Sequence, residues 1–183
     1  MRKVIAAINM TLDGNCDHTA GIPDDEIHQH YTDLLKDAGV LLYGRITYQL
    51  MEFWRPFVAN PSGNKSMDEF AIAIDKVPKI VFSNTLKKLD WKSASLANLP
   101  LESEVIELKQ QTGKDIYVGS PGLISALTNL NLIDEYQLCI HPVIAGSGLP
   151  LFKNIKEKIK LKYIKTKSFN GGANILYYII NGE

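Results

Sequence analysis

The chain has 183 residues, of which 45% are hydrophobic and 22% charged. That is the length and balance of one soluble globular domain, expected to run over residues 1–183. Twenty basic and twenty acidic residues cancel to a net charge of zero, which argues against a general nucleic-acid or membrane-surface binder. The two cysteines, Cys16 and Cys139, form no CxxC pair, so neither a disulfide scaffold nor a metal centre is expected. Cys139 lies in an apolar run and reads as a buried small hydrophobe, whereas Cys16, in a polar loop, reads as the more reactive thiol. Met1-Arg2-Lys3 opens no signal-peptide pattern, and no apolar run has membrane-spanning length, so the cytoplasm is the expected location.

In chain order, Val4–Ile8 is a continuous apolar run, the pattern of a strand buried on both faces. Asn9 to Ile22 reads as a loop with a turn at Asp13-Gly14. Pro23-Asp24-Asp25-Glu26 starts a helix, because proline suits the first turn and acids suit the positive end of the dipole. Ile27, Tyr31, Leu34 and Leu35 share one face of it, and Gly39 ends it. Val40–Tyr43 is a second buried strand, followed by a helix over Thr47–Phe53 and a loop over Pro56–Lys65. A helix over Met67–Ile74 leads to a strand at Lys79–Phe82, and a short strand is expected near Ala94–Leu96. Then come a helix over Glu102–Gln111, a strand over Asp115–Val118 and a helix over Leu123–Leu130.

After Leu132 the alternation stops. Glu135–Pro142, Ile159–Lys167 and Ile175–Ile180 read as consecutive strands, with a turn at Gly171-Gly172. The fold class is therefore α/β: a mixed, mostly parallel sheet flanked by helices on both faces, finished by antiparallel strands.

Three segments follow apolar strands with small, hydroxylic, basic or glycine residues: Gly44-Arg45-Ile46-Thr47, Ser83-Asn84-Thr85 and Gly119-Ser120-Pro121-Gly122-Leu123-Ile124. In open α/β sheets ligands bind at the carboxyl ends of the strands, where helix N-termini present free N–H groups to anions. Three such ends suggest a long, phosphate-bearing ligand. Each also has a plain reading as a turn, since glycine, serine and asparagine dominate turns. Asp13 and Asp25 are the acids nearest the expected cleft and the candidates for proton handling, although Asp24–Glu26 also cap a helix and Asp13-Gly14 also makes a turn. Trp54, with Phe53 and Phe57, either lines a pocket for a flat ring or joins the core. His141 at a strand end has no partners for a catalytic triad in the sequence around it, and reads as structural.

At these residues the chain resembles the dihydrofolate reductase-like superfamily, and within it the reductase domain of the bifunctional riboflavin-biosynthesis deaminase-reductase. The resemblance rests on Leu12-Asp13-Gly14, Tyr43-Gly44-Arg45-x-Thr47, Phe82-Ser83-Asn84-Thr85 and Gly119-Ser120-Pro121-Gly122. It also rests on Asp134-Glu135, Pro142, Gly146-Ser147-Gly148 and Pro150-Leu151-Phe152. It implies an NADPH-dependent reductase acting on a small heterocycle, similar to 5-amino-6-(5-phosphoribosylamino)uracil reductase. By that resemblance Gly44, Arg45 and Thr47 hold the pyrophosphate region, and Ser83, Asn84 and Thr85 meet the adenosine 2′-phosphate. Gly119, Ser120, Pro121, Gly122, Leu123 and Ile124 wrap the pyrophosphate and the nicotinamide side. Pairing of two chains through a sheet edge or the final strands is also implied. Two positions depart from riboflavin-pathway reductases: Met51 and Val118 stand where those enzymes carry acids. A dihydrofolate reductase and a nucleotide-binding module without turnover remain as alternatives.

Overall fold

A computed structural model describes residues 1–180; Asn181–Glu183, inside the expected domain, lie outside the described residues. Eight strands form one sheet: β1 Val4–Thr11, β2 Val40–Gly44, β3 Lys79–Phe82, β4 Ala94–Leu96, β5 Ile116–Val118, β6 Glu135–His141, β7 Leu161–Ser168 and β8 Asn174–Ile180. Their order is β4-β3-β2-β5-β1-β6-β8-β7. The first six run parallel, and β8 and β7 close the sheet antiparallel. The helices are α1 Asp25–Asp37, α2 Arg45–Met51, α3 Pro56–Ala59, α4 Lys65–Lys76, α5 Leu101–Gln110 and α6 Pro121–Asn129, with a 3-10 turn at Glu52–Trp54.

Side chains alternate across each strand, so one strand feeds two cores. Val4, Ala6 and Ile8 of β1 and Val40 and Leu42 of β2 pack with Val105 and Leu108 of α5 and Ile124 and Leu127 of α6. On the opposite face Leu41 and Tyr43 meet Leu35 of α1 and Ile74 of α4. Further along that face, Ile27 and Tyr31 of α1 pack against Cys139, Ile175 and Tyr177. This two-sided burial is why β1 and β2 read as unbroken apolar runs.

Several boundaries differ from the sequence reading. β1 continues to Thr11 because its outer half pairs with β6 from Ile5 to Thr11, well beyond the end of β5. The expected Pro56–Lys65 loop begins with α3, since Pro56 supplies a preset first helical position. α2 starts at Arg45, directly after Gly44, rather than at Thr47. β7 was expected to alternate between buried and exposed. It is exposed from Lys162 to Ser168 because it is the sheet's edge, and a bulge between Tyr163 and Lys165 breaks its register. Cys16 is also not the reactive thiol expected: it packs against the core, and burial pushes it up to about 12, as it does Cys139.

Among the described residues no helix is long and apolar enough to cross a membrane. None of them form a group of three or more His, Cys, Asp or Glu placed to hold a metal ion.

Candidate active site

The parallel order brings the carboxyl ends of β3, β2, β5 and β1 to one edge of the sheet. With strands about 4.8 Å apart, these four ends span roughly 14 Å. All three motif segments lie here. Gly44 pairs with Phe82, so Ser83 stands one residue past it on the neighbouring strand. Gly119 follows β5 on the other side of β2.

Ser120 joins two of the segments. It is buried, and although it stands at the N-cap of α6 its hydroxyl does not cap that helix. It accepts instead from the Gly44 N–H at 2.9 Å, pinning the β5–α6 turn to the end of β2. The first helical bond of α6 is Ile124 N–H to Ser120 C=O, and Gly122 and Leu123 donate to no acceptor among the described residues. These free amides, at the positive end of a nine-residue helix, form an anion-accepting surface. A Cβ at Gly122 would meet nothing within 4 Å, so open space rather than packing surrounds that backbone.

Arg45 is exposed beside this turn, and among the described residues its guanidinium reaches only Gln49 Oε1, at 3.2 Å. Thr47, half-buried, lies in the same helix. Ser83 makes a hydroxyl turn, accepting from Thr85 N–H at 3.2 Å and Leu86 N–H at 3.0 Å. Asn84 and Thr85 are exposed on it, followed by Lys87 and Lys88.

The two candidate acids are not together. Asp13 lies on the turn after β1, where Gly14 takes a left-handed φ of 80°. Its carboxylate accepts from Thr11 Oγ1 at 2.5 Å, Gly146 N–H at 2.7 Å and Ala145 N–H at 3.1 Å. Those bonds, the Thr11 hydroxyl foremost, hold it down at about 2. Asn15 reinforces the clamp by accepting from Leu149 N–H at 3.0 Å and donating to Ser147 C=O. The Gly146–Phe152 segment is thus fastened to the turn after β1.

Asp25 opens α1, with Asp24 as the N-cap accepting from Ile27 N–H at 2.9 Å. The Asp25 carboxylate accepts from Ser66 Oγ at 2.5 Å and Asn64 Nδ2 at 3.4 Å, bridging the starts of α1 and α4. The Ser66 bond is the main reason it is held below the ordinary range.

Trp54 belongs to an aromatic group that also holds His28 at 5.7 Å, Phe53 at 5.3 Å, Phe57 at 6.2 Å and Phe70 at 4.6 Å between ring centroids. Phe53 is 59% exposed, so the group is a lip rather than an interior core. His28, half-buried between Trp54 and Phe70, is lowered by burial against the opposing pull of Asp25 and Asp24.

Sequence reasoning overlooked Asn9 and gave His141 no partner. Asn9 is the one exposed side chain in β1. Its Oδ1 lies 3.0 Å from His141 Nε2 and 3.2 Å from the Tyr31 hydroxyl. A polar residue inside a buried strand pattern was the available signal; its partners, on other elements, were not visible.

Comparison with known proteins agrees with this architecture. A family model, the RibD C-terminal domain, matches residues 2–175. The uncharacterized protein YyaP of Bacillus subtilis is 35% identical, over 99% of this chain and 96% of that protein. The Thermotoga maritima diaminohydroxyphosphoribosylaminopyrimidine deaminase/5-amino-6-(5-phosphoribosylamino)uracil reductase superposes with a TM-score of 0.67 at 17% identity. That match covers 98% of this chain and 57% of the bifunctional protein. Enterococcus faecalis dihydrofolate reductase, solved with NADP(H), superposes with a TM-score of 0.65 at 12% identity, covering 98% and 97% of the two chains. The fold is dihydrofolate reductase-like.

Proposed function

Because the chain belongs to the RibD C-terminal domain family, we propose that it is an NADPH-dependent reductase acting on a small, flat heterocycle. The reaction is of the kind named for 5-amino-6-(5-phosphoribosylamino)uracil reductase. One observation carries the reading: free backbone donors on α6 and a free cation at Arg45 converge on the sheet edge where parallel strands end. NADPH fits this edge. The amides of Gly122 and Leu123, in a turn with open space around Gly122, suit a pyrophosphate. Gly44, Arg45 and Thr47 flank it, and Ser83, Asn84 and Thr85, with Lys87 nearby, suit a 2′-phosphate. When bound, NADPH supplies the hydride.

The rest is the work of the chain. Ser120 fixes the spacing between the two cofactor turns through Gly44. Ile124 anchors α6 in the core, so its first turn cannot drift. Trp54 and Phe53 offer flat apolar faces to a ring and exclude water from it. Asp13 and Asp25, each kept ionised by its own hydrogen bonds, are separate candidates for proton handling rather than a pair.

The test is a fluorescence titration of wild type and Arg45→Ala with NADPH and with NADH. NADPH is expected to bind more tightly than NADH. Loss of a charge-assisted phosphate contact should weaken NADPH by roughly 10–100-fold in Arg45→Ala, with urea stability unchanged. No binding of either nucleotide to wild type would overturn the reading. Turnover of dihydrofolate would favour a dihydrofolate reductase, and binding without oxidation by any acceptor would favour a non-catalytic nucleotide-binding module.

A further inference from the structure

The hydrogen bonds around Asn9 can be followed atom by atom. The backbone N–H of Ile22 lies 3.1 Å from His141 Nδ1, and a backbone N–H can only donate. Nδ1 is therefore the unprotonated nitrogen, and in the neutral ring Nε2 carries the hydrogen. Burial keeps His141 below its ordinary range, which favours that neutral ring. Nε2–H then donates to Asn9 Oδ1 at 3.0 Å. The second contact to Oδ1 comes from the Tyr31 hydroxyl, whose ionisation burial pushes well upward, so it remains an O–H donor.

Two donors on one side fix the carboxamide. Rotating it by 180° would set its NH2 group against both of them, so Oδ1 faces Tyr31 and His141 and Nδ2 faces away. Nδ2 donates to no acceptor among the described residues, and Asn9 is exposed. Two residues before Asn9 on β1, the Ala7 carbonyl is 3.5 Å from where a Cβ on Gly119 would stand. Asn9 thus presents an oriented donor beside the turn assigned to the nicotinamide side.

We infer that Asn9 is a specificity-determining residue whose Nδ2 donates to a ring carbonyl of the substrate, with Tyr31 and His141 as its positioning residues. The inference rests on the reductase reading for its place beside the hydride donor, and it names the substrate class: a flat heterocycle with a carbonyl oxygen, not an amino group, at that position. A preorganised donor rejects a ligand that offers a second donor, because both groups then lose water without gaining a partner.

The experiment uses uracil and 2,4-diaminopyrimidine, in which the ring carbonyls become amino groups. Each is titrated by NMR into the full chain with and without NADP+. Uracil should shift the Asn9 Nδ2 proton signals and bind at least about tenfold more tightly than the diamino compound. Asn9→Asp keeps an oxygen toward Tyr31 and His141 and turns an acceptor toward the cleft, so the preference should reverse. Tyr31→Phe removes one of the two orienting donors and should shrink the wild-type preference several-fold without reversing it. Equal binding of the two probes, no uracil binding to wild type, or an unchanged preference in Asn9→Asp would each overturn the inference. Failure of wild type to bind NADP+, with the probe preference intact, would instead count against the reductase reading alone.

Discussion

The two edges of the parallel sheet differ in how they treat polar groups. At the amino edge they are enclosed and paired. Lys79, at the start of β3, is 1% exposed. Its ammonium donates to the carbonyl of Ile74, to Val77 C=O at 2.7 Å and to Ser93 Oγ at 2.9 Å, and sits 4.1 Å above the Trp91 ring. Trp91 donates in turn to Asp75 Oδ1 at 2.7 Å, and Arg2 Nε donates to Lys114 C=O at 2.5 Å. At the carboxyl edge Gly122, Leu123 and Asn9 Nδ2 keep donors without acceptors among the described residues, and Arg45 stands in solvent. A buried cation with a full set of partners closes the C-terminus of α4 and holds the fold. Donors left free at a helix start and a strand end are available to a ligand. A polar residue at a strand end signals function only when its neighbours leave it unsatisfied.

The sharpest way to break this contrast is Lys79→Met. It strands the Ile74 and Val77 carbonyls, while Ser93 Oγ keeps its bond to Asp75 C=O, and should cost about 3 kcal/mol in urea unfolding while leaving NADPH affinity as in wild type. Loss of NADPH binding in the folded variant would show that the two edges are not independent. Burial pushes the Lys79 ammonium down to about 8, from an ordinary 10.5. Between those values the unfolded chain holds the proton and the folded one does not. Wild-type stability attached to this group therefore rises as pH climbs through that window. Unfolding curves across it should show a rise that Lys79→Met lacks.

Ser120→Ala acts at the other edge. It leaves the Gly44 N–H without its acceptor and should cost about 1–2 kcal/mol. Because it also frees the β5–α6 turn from β2, NADPH affinity should fall several-fold, unlike in Lys79→Met. Unchanged affinity would mean that the spacing of the two turns does not matter for the cofactor.

The smallest effect is expected from Asp13→Asn, which keeps only one accepting oxygen for Thr11, Ala145 and Gly146. Amide exchange at Ala145 and Gly146 should quicken several-fold. Asp13 is held at about 2, below the ordinary 3.8, so its contribution is complete above about pH 4 and disappears as pH falls through 2. The exchange difference between wild type and variant should close over that range. A difference that persists at lower pH would remove the carboxylate as its cause.

Much of the scaffold was legible from the sequence because its signals are local. The apolar runs at Val4–Ile8 and Val40–Tyr43 mark strands buried on both faces. The change after Leu132 marks the turn from parallel to antiparallel pairing, and the start of α1 follows its proline and acids. Local signals also misled. Ile159–Lys167 reads as half-buried because alternation is a property of the strand, but β7 is the sheet's edge and is exposed from Lys162 to Ser168. Cys16 sits among polar neighbours in sequence and packs on the core in space.

The sequence by itself determined which segments are strands and helices, and which short motifs follow the strands, because side-chain periodicity and turn chemistry act over a few residues. It also carried the family. Only the tertiary structure decided that β5 enters between β2 and β1, bringing Ser120 against Gly44 across 76 positions of chain. The same ordering joins His141 to Asn9 across 132 positions and so turns the amide of Asn9 outward. Such partnerships depend on strand order, and strand order is fixed by burying the whole sheet between its helices, not by any one segment.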